Sequence, residues 1–163
     1  MLSEDELRRD TKRTHLCELM REACHDEGAS AEILDMPQRQ EGSISISSIG
    51  AHDSPVANIN ASLEMDRAEA AVLHEAGHWL EGHEVFGSEA NRAYEAAKAY
   101  DDAHDARTRG PFEQAADRRA LTILGEVEVL SLLETDPGRI AGLLVEDAEQ
   151  YGAFGRGTVY PPK

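Results

Sequence analysis

Basic residues are scarce in this chain of 163 residues: 16 Lys and Arg stand against 32 Asp and Glu, for a formal net charge of −16 and a pI near 4.7. No Lys/Arg cluster exceeds a few residues, so the surface repels phosphate backbones and direct nucleic-acid binding is not expected. The same acidity suits a basic protein partner. Long apolar runs are missing as well. No stretch approaches the roughly 18 apolar residues of a membrane span, and the acidic N-terminus has no signal-peptide pattern. The expectation is a cytoplasmic protein with no membrane contact. Cysteine is limited to Cys17 and Cys24. Seven positions apart on one helix, their Cα atoms would be about 10 Å apart, too far for a disulfide, so both are expected to be reduced core residues. There is no internal repeat and no low-complexity segment.

The length is that of one domain with a real core, expected over residues 1–152, with 153–163 as a loosely held tail. Residues 3–27 read as a helix: Ser3 and Glu6 make a capping-box pair, Leu16, Leu19, Met20, Ala23 and Cys24 follow the helical period, and Gly28 ends it. Residues 31–36 form a plausible strand stopped by Pro37. Residues 43–47 alternate Ser and Ile as a half-buried strand does, and residues 56–60 make a third. Three short strands in succession imply a small, mostly antiparallel sheet. A helix follows to about residue 83, with Asp66 as its expected cap and Glu69 in the capping-box position. His15, His25 and His52 are scattered and expected to face solvent. A polar helix over residues 89–107 carries Ala90, Ala93, Tyr94, Ala97 and Tyr100 on one side. Gly110-Pro111 breaks it and opens another helix over 112–133, with Ala116, Ala120, Ile123, Leu124, Val127 and Leu130 toward the core. A last helix over 137–151 turns Ile140, Leu143, Leu144 and Ala148 inward and stops at Gly152. The class is α+β: a small sheet packed against a helical bundle.

The chemistry concentrates in His74-Glu75-Ala76-Gly77-His78, an H-E-x-x-H pattern flanked by apolar, helix-compatible residues. On a helix His74 and His78 lie about 40° apart and one turn above each other, so both imidazoles can point at one metal ion. Glu75, about 100° round from His74, can lean over the same spot and take a proton from water. Gly77 costs about 1 kcal/mol of helix stability against Ala, which is tolerable where another element packs closely on that face.

A catalytic zinc takes three protein ligands, so one more is needed. His83 lies about 180° round from His74 on a continuing helix and faces away. Glu113 is favoured, with His104 in reserve. Glu113 and Asp117 are i,i+4 and share a face with Ala116 and Ala120, whose small side chains let the helix lie close to the histidines. Asp117 can then accept the other ring N–H of a ligating histidine and fix its tautomer.

Two histidines on one helix with a Glu-x-x-x-Asp on a later helix resemble the gluzincin arrangement of metallopeptidases. The run from Ile59 to Leu63 and the stretch from Ala71 to Leu80, with Glu113 to Asp117, resemble the ImmA/IrrE metallo-endopeptidase family more narrowly. That resemblance implies a zincin-like fold, Zn²⁺ held by His74, His78 and Glu113, Glu75 as the base and Asp117 orienting His74. It also implies a protein substrate, a helix-turn-helix repressor of a mobile element or stress response. Ala76 departs from the commoner Leu of the family, and the 89–107 helix reads as an insertion over the cleft. Apart from the resemblance, Tyr94, Tyr100 and His104 are candidates for a side-chain donor to the oxyanion. Two other roles compete with the peptidase: a catalytically silent binding protein that sequesters a repressor or partner, and a metal-free helical interaction protein. An intact Glu75 speaks against the first of these, because a pure binder has no use for a general base.

Overall fold

The structure, a computed structural model, describes residues 2–36, 42–47, 54–81 and 110–154 and, within these, all side chains but those of 42–47, 110–112 and 147–154. Helix α1 (Glu4–Cys24) starts at the expected capping box: Ser3 Oγ accepts the Glu6 amide at 3.2 Å and Glu6 Oε2 accepts the Ser3 amide at 3.4 Å. Leu16, Leu19, Met20 and Ala23 are buried along its inner face, with Cys17 and Cys24 beside them. The helix ends earlier than expected. His25 takes the left-handed conformation (φ 52°), and the amides of His25 and Asp26 donate back to Glu22 and Arg21. Gly28 has a different task from stopping the helix: a Cβ there would overlap Ser54 Oγ, so its bareness admits the third strand. Both cysteines are free, and burial, with Asp26 nearby, pushes the Cys24 thiol up to about 12.

Strands β1 (Ser30–Leu34), β2 (Gly42–Ser47) and β3 (Ser54–Asn60) form one sheet in the order β1-β3-β2. β2 and β3 are antiparallel, whereas β1 and β3 are parallel, pairing Ala31 with Ala57 and Ile33 with Ile59. The mostly antiparallel sheet read from the sequence is therefore corrected. After β1 the chain lays β2 at the far edge and returns along β3 to fill the centre. Alternation of side chains tells which face of a strand is buried but carries no information about which neighbour it pairs with. Ala31, Ile33, Ala57 and Ile59 all turn into the core.

Asn60 turns the chain out of the sheet, its Oδ1 accepting the Ser62 amide at 3.1 Å and the Ser62 hydroxyl at 3.0 Å. Helix α2 (Met65–Leu80) follows. Its N-cap is Glu64, not Asp66, and no side chain caps it. Asp66 sits inside the first turn, paired with Arg139 at 3.1 Å. Glu69 is no capping residue either: it is fully buried and accepts from His15 Nε2 at 2.7 Å and from the amides of Glu134 and Thr135. His15, expected in solvent, is thus held inside this cluster, whereas His25 is exposed and His52 lies outside the described residues. α2 is buried on nearly every side, from Ala68 through His78 except at His74, which is partly buried.

The chain then forms α3 (Gly110–Leu124), α4 (Val127–Leu132) and α5 (Pro137–Phe154). The single helix expected over 112–133 is broken at Gly125, where the Gly125 and Glu126 amides donate to Thr122 and Ile123. The break resets the helical phase, so Val129 is buried while Val127 is 75% and Leu130 37% exposed, the reverse of the uninterrupted pattern. α5 runs through Gly152 to Phe154, beyond the expected stop, with Ile140, Leu143 and Leu144 buried; the Ala148 side chain lies outside the described residues. One hydrophobic cluster joins α1, β1, β3, α2, α3, α4 and α5. No helix among the described residues is long and apolar enough to cross a membrane.

The break at Gly125 is testable by chemical denaturation. Val129→Ala should cost about 1–3 kcal/mol and Val127→Ala under about 0.5 kcal/mol. The opposite order would mean an unbroken helix.

Candidate metal centre

Helix α2 carries Leu73, Ala76 and Val72 into the core on one side, which leaves His74 and His78 on the side that meets α3. The two helices approach closely because of residue size. A Cβ on Gly77 would overlap the Ala116 carbonyl oxygen and lie 3.0 Å from its carbonyl carbon, and Ala116 and Ala120 are fully buried. The glycine is thus used as its cost in helix stability suggests, to admit a neighbouring backbone. The same contact brings Glu113 and Asp117, one turn apart on α3, over the two histidines.

Four side chains then interlock. Glu113 Oε2 lies 2.8 Å from His74 Nε2 and 3.1 Å from His78 Nε2. Asp117 Oδ1 lies 2.6 Å from His74 Nδ1. The imidazoles meet edge to face, with centroids 4.7 Å apart. One donor atom each from His74, His78 and Glu113 lies within 4.8 Å of the others, a group that can hold a metal ion. Ligands about 2 Å from a common centre are at most about 4 Å apart, so gathering these three takes a shift of under about 1 Å.

Charge also favours a cation there. Glu75, Glu113 and Asp117 are buried beside two imidazoles, so with both histidines neutral the cluster carries excess negative charge. Burial alone would push the His74 imidazole down, but the carboxylates of Asp117 and Glu113 on its two nitrogens outweigh that and hold it well above the usual range. Burial would push Glu113 up, and its bonds to both histidines instead hold it well below. Glu75 is pushed up by burial, opposed by His74 and His78 and reinforced by Glu113 and Asp117. Asp117 Oδ2 is buried and has no hydrogen-bond partner among the described residues. Asp117 therefore directs its charge to His74 Nδ1, leaving Nε2 of that ring toward Glu113 and His78.

The structure brings together His74, His78, Glu113 and Asp117 and buries Glu75 on the same helix as the two histidines. His83, His104, Tyr94, Tyr100 and the 89–107 helix lie outside the described residues. Sequence reasoning missed the part played by Glu69, although an acidic residue between Ala68 and Ala70 on a buried helix was a signal of it. No family model, curated protein or solved structure matches the chain.

In an open helix Gly→Ala gains about 1 kcal/mol. Gly77→Ala should instead destabilise the protein, by about 1–3 kcal/mol in denaturant, because Ala116 backbone has to move. Metal titration with competing chelator provides a second check. His78→Ala should abolish binding at this centre, and Asp117→Asn should weaken it about 10–100-fold while retaining the stoichiometry.

Proposed function

We propose that the chain is a zinc-dependent endopeptidase of the cytoplasm that cleaves a regulatory protein. The observation that carries this reading is the meeting of His74, His78 and Glu113 within 4.8 Å, beside a buried Glu75 on the same helix. Two imidazole nitrogens and one carboxylate oxygen form the ligand set of a hydrolytic zinc site, which keeps a position for water. When bound, zinc would supply Lewis acidity, bringing the pKa of water toward about 7 and polarising a peptide carbonyl.

The remaining work falls to the chain itself. Asp117 Oδ1 accepts the proton of His74 Nδ1, which fixes the tautomer that presents Nε2 as a ligand. The Glu75 carboxylate accepts a proton from the attacking water and delivers it to the leaving nitrogen. Its burial at 6% exposure keeps that proton away from bulk solvent between the two transfers. Tyr94, Tyr100 and His104 stay candidates for the donor to the developing oxyanion. Among the described residues β2 is an edge strand, paired only with β3, and its outer backbone groups suit an extended peptide. Resemblance of the two sequence motifs to the ImmA/IrrE family points to a helix-turn-helix repressor as the substrate, which an acidic enzyme would meet through the repressor's basic surface.

The test uses purified Glu75→Gln and a repressor encoded beside the gene. The variant should bind zinc with wild-type stoichiometry and cleave about 10²–10⁴-fold more slowly. Cleavage at the wild-type rate, or relief of repression with the repressor left intact, would refute the peptidase reading.

A further inference from the structure

Glu69 and His15 form a second buried polar cluster, more than a helical turn before His74 and separate from the metal centre. Glu69 on α2 has no solvent exposure, and its carboxylate accepts from three donors on two other segments: His15 Nε2 at 2.7 Å and the Glu134 amide at 2.9 Å on Oε2, and the Thr135 amide at 3.0 Å on Oε1. Glu134 and Thr135 belong to the connection between α4 and α5, and His15 to α1. One carboxylate therefore ties two parts of the fold to the helix that bears His74 and His78. The His15 ring uses only Nε2 and keeps 12% of its side-chain surface in solvent. It lines a cavity of about 270 Å³ with Leu7, Arg8, Lys12, Met65 and Glu134, a route by which protons reach it.

We propose that His15 and Glu69 form a proton-operated clamp, tight when the imidazole is charged, that seats the α4–α5 connection on α2. The charged groups around the ring are Arg8, Lys12 and Glu18 from α1, Glu69 from α2 and Glu134 from the connection. The bond to Glu69 raises His15 above 6.5 against the pull of burial, helped by the charges of Glu69, Glu134 and Glu18. Burial would raise Glu69, but its bonds to His15, Thr135 and Glu134 bring it below 4.5. The signs are opposite. Stabilisation from His15 is complete below 6.5 and is lost as pH rises through its folded value. Stabilisation from Glu69 is complete above 4.5 and is lost as pH falls through its folded value. The clamp is therefore tightest between these limits. Above them a neutral imidazole still donates from Nε2, but the buried anion has lost its counter-charge and its hold on the two amides weakens.

Amide and imidazole NMR on the full chain tests this. The Glu134 and Thr135 cross-peaks should shift between about pH 5 and about pH 9 with the midpoint of the His15 ring, and that midpoint should lie above 6.5. In His15→Gln the same two peaks should stay still over that range while the remaining spectrum is native. A His15 midpoint at or below 6.5 in the wild-type protein overturns the proposal whether or not the variant folds. So do immobile Glu134 and Thr135 peaks in wild type, or peaks that titrate unchanged in His15→Gln. None of these outcomes depends on zinc or on proteolysis.

Discussion

The spacing of α2 and α3 is decided where Gly77 meets Ala116, and the candidate centre exists only at that spacing. With backbone against backbone, the i,i+4 pair Glu113 and Asp117 reaches both nitrogens of His74 and the Nε2 of His78. Side chains of ordinary size at either position would separate the helices and leave two imidazoles and two carboxylates facing one another across a gap. The small-residue seam gives up some helix propensity at Gly77 and gains polar contacts buried on both helices.

Those contacts concentrate charge in a dry place. Three carboxylates and two imidazoles share a largely buried site, where an uncompensated charge costs about several kcal/mol. Hydrogen bonds link His74 to Glu113 and Asp117 and His78 to Glu113, and a divalent cation among the same donors would meet the same electrostatic need. The zinc peptidase proposed above draws on that need, with Glu75 as the one carboxylate of the group that engages neither ring at hydrogen-bond distance among the described residues.

α2 is held by polar groups near both ends of a mostly apolar rod. Glu69 near the start anchors it to α1 and to the α4–α5 connection, and His74 and His78 near the end engage α3. Between them Val72, Leu73 and Ala76 pack into the shared core. Apolar packing has no preferred direction, whereas hydrogen bonds at both ends fix the rotation and axial position of the helix.

Local patterns were enough to identify the helix bearing His74 and His78, the capping box at Ser3 and Glu6, the inner stripe of α1 and the Glu113–Asp117 face, because each depends on spacing along one element. The use of Gly77 was also legible, since a glycine inside an apolar helix implies a close neighbour. What required the tertiary structure were relations between distant segments. Parallel pairing of β1 with β3 depends on which strand fills the centre of the sheet, which alternation does not encode. The break at Gly125 exchanged Val127 and Leu130 for Val129 because one residue of altered phase rotates everything after it. Glu69 looked like a cap because a capping box and a buried anchor share the same letters, and only the arrival of His15, Glu134 and Thr135 from 54, 65 and 66 positions away distinguishes them. Sequence by itself determined which residues share a helix face, since periodicity is a property of the local backbone; the fold alone decided which of those faces meet, since contact across the core is not.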